Sequence, residues 1–98
     1  MYIVREIFYL HFGHYREVKV LIDEGLQKHL LSQPVGSRIL TDFTGEGYRL
    51  IFEQPYATLS EFEKTLTTEL SHPDWRGWYE RFKPHVSSFH REILKQII

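Results

Sequence analysis

The sequence predicts one α+β domain with its elements in the order β-α-β-β-α-(α)-β. Three observations predict it. An aromatic and β-branched run at residues 2–12 gives way, after Gly13, to apolar residues at helical spacing. Two strand-like runs flank Gly45-Glu46-Gly47. A second helical pattern and a short proline-bounded one then lead into a last strand from Val86. Two right-handed β-α-β units in this order make a four-stranded antiparallel sheet with both helices on one face, the ferredoxin-like plait. The 98 residues fit a single domain, 1–98.

The first strand, YIVREIFYLHF, is apolar at odd positions (Ile3, Ile7, Tyr9) and at even ones (Val4, Phe8, Leu10), the mark of a strand covered on both sides. From His14 to Leu30, Tyr15, Val18, Ile22, Leu26 and Leu30 recur at steps of three and four. Gly25 weakens that helix by about 1 kcal/mol relative to Ala, which predicts close packing at its position. Pro34 and Gly36 mark the exit, and residues 35–54 form a hairpin closed by Pro55. Thr58 or Ser60 caps the second helix, with Leu59, Phe62, Leu66 and Leu70 on its apolar face. Pro73 opens the third helix behind Ser71 or His72, and Pro84 ends it near Lys83. The last strand runs from Val86 to Ile97. Helices cover one sheet face only, yet several strands are apolar on both. A second copy of the chain is the simplest cover for the open face, so a homodimer is expected.

The totals exclude several function classes. The net charge is −1 and no basic block is present, so the electrostatic footprint of a nucleic-acid binder is missing. There is no Cys, which removes disulfides, thiolate chemistry and most structural zinc sites. No apolar run approaches the roughly 18 residues of a membrane span, so no membrane partner is expected. The chain opens on strand-like sequence without a signal or transit pattern, and a cytoplasmic location is the expectation. No P-loop, dinucleotide fingerprint, nucleophile elbow or H-E-x-x-H occurs, and no cofactor is expected.

Residues 71–85, SHPDWRGWYERFKPH, hold both tryptophans. Trp75, Trp78, Tyr79 and Phe82 stand at i, i+3, i+4 and i+7, one face of a helix. Such a stripe packs a helix onto its domain or onto a partner; alternatively one of the tryptophans walls a ligand pocket. His11 and His14 straddle a strand-to-helix turn without a carboxylate at ligand spacing, so no metal site is expected. Arg5, Glu6, Arg38, Glu53, His90 and Glu92 are ionisable residues within strands, which predicts pairing among them, or a polar cleft lining.

Several motifs together resemble one known group, the NIPSNAP-like family of the dimeric α/β-barrel superfamily. They are Tyr2-x-x-Arg5 with Gly13, Val35-Gly36, the Gly45 turn, Tyr56-x-x-Leu59, then His72-Pro73-Asp74-Trp75, Phe82-x-Pro84 and a strand from Val86. The resemblance covers nearly the whole chain. It implies a homodimer joined through the open sheet faces, and no established chemistry. A small apolar or aromatic ligand in an intersheet or helix–sheet cleft is the expected function, with Arg5, Tyr9, Trp75, Trp78 and His90 as candidate pocket residues. The alternative the superfamily offers is a cofactor-independent monooxygenase of the antibiotic-biosynthesis type. Haem-degrading members place a Trp about ten residues before a His, as Trp75 and His85 stand, but also use an Asn on the first strand. This chain has no Asn, and Glu6 lies near that place.

Overall fold

A computed structural model describes all 98 residues. Strand β1 (Tyr2–Leu10) leads to helix α1 (Tyr15–Gln27), then to β2 (Arg38–Thr41) and β3 (Arg49–Tyr56). Helices α2 (Leu59–Ser71) and α3 (Pro73–Phe82) follow, then a 3₁₀ turn at Lys83–His85 and β4 (Val86–Lys95). The sheet order is β2-β3-β1-β4 with every pairing antiparallel, as the element order predicts.

Register assigns each strand residue to a face. Val4, Glu6, Phe8 and Leu10 stand beside Gln54, Phe52 and Leu50 of β3, and beside Ile93, Arg91 and Phe89 of β4. This is the helix-covered face. Its core joins Leu10, Leu50 and Phe52 to Val18 and Ile22 of α1 and to Trp78 and Phe82 of α3. A smaller cluster joins Val4 and Tyr56 to Phe62 of α2. Each such side chain contributes about 1.5–3 kcal/mol on full burial. Ile3, Arg5, Ile7 and Tyr9 point the other way, beside Ile51, Glu53 and Arg49 and beside Leu94, Glu92, His90 and Ser88. No helix covers that face.

Local chemistry explains the boundaries. Thr58 caps α2, accepting from the Glu61 N–H at 3.2 Å, while the Glu61 carboxylate accepts from the N–H of Ala57, one residue before the cap, at 3.2 Å. His72 caps α3 through Nδ1, which accepts from the Asp74 N–H at 3.2 Å, with Pro73 in the first turn. Gly25 lies under a tight contact: an added Cβ would stand 3.0 Å from Leu31 Cγ and 3.2 Å from Trp78 Nε1.

Several boundaries differ from the sequence reading: β1 ends at Leu10, α1 ends at Gln27, β2 begins only at Arg38, and three others bear on the fold. Strand β3 does not stop at Pro55. It runs to Tyr56, paired with β1 alone there, because β2 begins at Arg38 opposite Glu53 and does not reach Pro55. The hairpin connection is longer than its glycines suggest and takes in residues 42–48. Asp42 ties it to Arg49, accepting from Nη2 at 2.9 Å and Nε at 3.1 Å, while Tyr48 adopts φ 58° and Gly47 φ 78°. The last strand ends at Lys95, where Gln96 N–H donates to the Met1 carbonyl at 2.9 Å. No helix is long and apolar enough to cross a membrane.

Candidate functional site

The third helix divides its aromatic stripe in two. Trp78 and Phe82 stack at 5.1 Å between ring centroids and 12° between planes, and both are buried. The Trp78 indole N–H donates to the Leu21 carbonyl at 2.7 Å, so its one polar atom is satisfied inside the core. Trp75 and Tyr79 stack in the same way, at 5.0 Å and 11°, but are only half-buried. They form one wall of a cleft of about 370 Å³ between α2, α3 and the helix-side face of the sheet.

The floor of that cleft is aromatic. Phe8 meets Phe52, Phe82 and Phe89 at centroid distances of 5.8, 5.0 and 4.9 Å. Phe89, on the edge strand beyond the reach of the helices, is 45% exposed, so the apolar floor continues to the cleft mouth. Polar groups interrupt it at fixed points. Gln54 Nε2 donates to the Ser32 carbonyl at 2.6 Å, and Tyr56 Oη donates to Gln54 Oε1 at 3.1 Å. Glu6 accepts from Arg91 Nη2 at 2.9 Å and Nε at 3.2 Å. The Arg91 guanidinium also lies 5.4 Å from the ring centroids of Phe62 and Phe89.

Glu69 of α2 faces the same cleft. Burial pushes its carboxyl up from 4.5 to about 7, and the negative charge of Glu6 adds to the push. The Ser32 backbone and the Trp75 indole pull it partly back. The cleft thus combines aromatic walls with one carboxyl group that exchanges its proton near neutral pH, a combination suited to holding a ring and to accepting or returning a proton.

The structure separates the five residues proposed from the sequence. Trp75 walls the cleft and Trp78 forms its deep, core-bound end. Arg5, Tyr9 and His90 lie on the opposite, open sheet face. There Arg5 Nε sits 3.4 Å from Glu53 and its Nη1 3.4 Å from Glu92. Arg38 also pairs with Glu53, and His90 Nε2 is 4.0 Å from Glu92. A charged chain therefore crosses the open face among Ile3, Ile7, Ile51 and Leu94. The buried Nε of Arg5 finds no well-aligned hydrogen bond within it.

The histidines at the strand–helix turn also come together. His14 Nδ1 and His85 Nδ1 are 2.9 Å apart, so one ring donates and the other accepts. The His11 N–H donates to the His85 carbonyl at 2.9 Å, and the His11 and His14 rings stand 5.5 Å apart. No group of three or more His, Cys, Asp or Glu is placed to hold a metal ion.

Glu69 and Arg91 are the site residues that the sequence reading passed over, while Glu6 entered it as a strand charge expected to pair or to line a cleft. A signal for Glu69 was present. It stands seven residues after Phe62 and three after Leu66, so a carboxylate occupies the apolar stripe of α2.

No protein-family model matches the chain, and no curated protein does. Solved structures do. An uncharacterised NIPSNAP-like domain protein from Burkholderia xenovorans superposes with a TM-score of 0.84 at 16% identity, covering 98% of this chain and 84% of that one. A NIPSNAP family protein from Agrobacterium tumefaciens gives 0.83 at 18% identity, with 99% and 87% covered. A protein described as an antibiotic biosynthesis monooxygenase gives 0.72 at 10% identity, with both chains fully covered. The chain therefore has the ferredoxin-like fold of NIPSNAP-domain proteins, which it is similar to over nearly its whole length, and shares that fold with monooxygenase-type proteins.

Proposed function

We propose that this protein is a small NIPSNAP-like homodimer of the cytoplasm that binds an apolar or aromatic ligand in the cleft between α2, α3 and the sheet. The observation that carries this is the half-buried Trp75–Tyr79 stacked pair at the edge of the core, which lines a cleft of about 370 Å³ together with Phe8 and Phe89. That volume is within the range of small-molecule sites. The homodimer is supported by the open sheet face, which no helix covers and where Leu94 is 46% exposed beside the Arg5, Glu53 and Glu92 charges.

Two measurements test the reading. Saturating tryptophol, a neutral indole, raises the melting temperature of the wild-type protein by mass action. In Trp75→Ala that rise disappears, while the melting temperature without ligand stays within a few degrees. A ligand effect unchanged in Trp75→Ala contradicts the cleft. Sedimentation at micromolar concentration gives a dimer; a monomer there contradicts the assembly.

A second reading is a cofactor-independent monooxygenase of the antibiotic-biosynthesis type. The Glu69 carboxyl, titrating near neutrality beside the aromatic walls, is what favours it: such a base removes the proton of a bound phenol. Oxygen uptake with dihydroxynaphthalene substrates, lost in Glu69→Gln, is the expected result; no uptake with such substrates removes the reading.

A further inference from the structure

We propose that the cleft selects an aromatic amine, its ring between the Trp75–Tyr79 pair and Phe8–Phe89, and its ammonium on the Glu69 carboxylate. The proposal rests on the ligand-binding reading and adds the charge of the ligand to it. The argument is one of charge balance. Glu6, the other carboxylate inside the cleft, is already held by Arg91 at 2.9 Å. Glu80, on the rim, pairs with Lys83 at 3.0 Å in the open. Arg76, the remaining charge of the lining, belongs to the exposed rim of α3.

Behind Glu69 and Trp75 lies a separate polar hollow of about 420 Å³, with His29, Lys64 and His72 on its walls. Glu69 forms no salt bridge with Lys64 or with any other basic side chain, and the charge that bears on it, Glu6, has the same sign. Glu69 is thus a half-buried carboxylate for which the protein supplies no counter-ion. The Ser32 backbone and the Trp75 indole offset only part of the cost of taking this carboxylate out of water, and the rest falls when a ligand brings the missing positive charge. An ammonium carried on a ring would also lie against the stacked indole and phenol faces, which attract cations. An anionic ligand of the same shape gains nothing from the rings and is repelled by Glu69.

The test is a titration of ¹⁵N-labelled protein, followed by NMR at pH 8, with three indoles of nearly equal shape: tryptamine (cation), tryptophol (neutral) and indole-3-acetate (anion). Tryptamine is expected to bind about tenfold more tightly than indole-3-acetate, with tryptophol between them. In Glu69→Gln the three affinities converge to within about threefold. The same change at Glu63, exposed on α2, leaves the preference in place. Indole-3-acetate binding as tightly as tryptamine, or a preference that survives in Glu69→Gln, overturns the amine while leaving the cleft standing. Failure of all three indoles to bind removes the cleft reading and the amine with it.

Discussion

Gly25 and Trp78 approach so closely that a methyl group on the glycine would stand 3.2 Å from the indole Nε1. The same indole N–H donates to the Leu21 carbonyl, one turn earlier in α1. One small residue thus lets α3 lie against α1, and the position of α3 sets the wall of the cleft. Gly25→Ala gains helix propensity of about 1 kcal/mol but must displace Leu31 or the locked Trp78 ring. We expect a net loss of roughly 1 kcal/mol in urea unfolding, since overpacking outweighs propensity at a filled site.

The two tryptophans should separate in the same assay. Trp78→Ala leaves a hole in the core and costs about 3–5 kcal/mol. Trp75→Ala removes a half-buried ring stacked on Tyr79 and costs about 1 kcal/mol, the scale of an aromatic pair. Equal costs would place Trp75 in the core after all.

Glu69 predicts a pH dependence. Its folded carboxyl is raised from 4.5 to about 7, so the native state holds its proton more tightly than the unfolded chain. The stability this gives is fully present below pH 4.5 and is lost as pH rises through 7. After allowance for solvent screening the loss is roughly 1–2 kcal/mol. Glu69→Gln flattens this part of the stability–pH curve, measured by urea unfolding between pH 4.5 and 8. A variant curve parallel to wild type contradicts the assignment.

Asp42 predicts the opposite slope. The Arg49 guanidinium holds its carboxyl below the usual range, and its side chain is 8% exposed. Its contribution is therefore present above the ordinary Asp value of 3.8 and lost as pH falls below it. Asp42→Asn loosens the 42–48 connection and costs about 1 kcal/mol at pH 7. The difference from wild type, followed by thermal unfolding, shrinks towards pH 3.

The fold was legible because its punctuation is chemical. Pro73, Pro84, Thr58 and Gly13 mark ends that the backbone must respect, and period-3.6 and period-2 patterns fill the spans between them. Residues 42–48 were harder, since their length depends on the Asp42–Arg49 clamp and on a non-glycine residue, Tyr48, at positive φ. The site was half legible. Spacing alone put Trp75 and Trp78 on one helix face, but which of them reaches the core depends on how α3 sits on α1. Arg5, Tyr9 and His90 were candidates for an intersheet or a helix–sheet cleft, and a strand apolar on both faces does not say which. Register with β3 and β4 places them opposite the cleft. Glu69 escaped because its significance comes from burial and from Glu6, a residue 63 positions away in sequence that the fold brings near.

The cleft itself is tested most directly by the two indole N–H signals of the ¹⁵N-labelled protein during a tryptophol titration. Trp75, at the wall, should shift saturably, while Trp78, bonded to Leu21 in the core, shifts little. A Trp75 signal that stays in place at saturating ligand, or moves only linearly with concentration, would contradict a binding site at this wall.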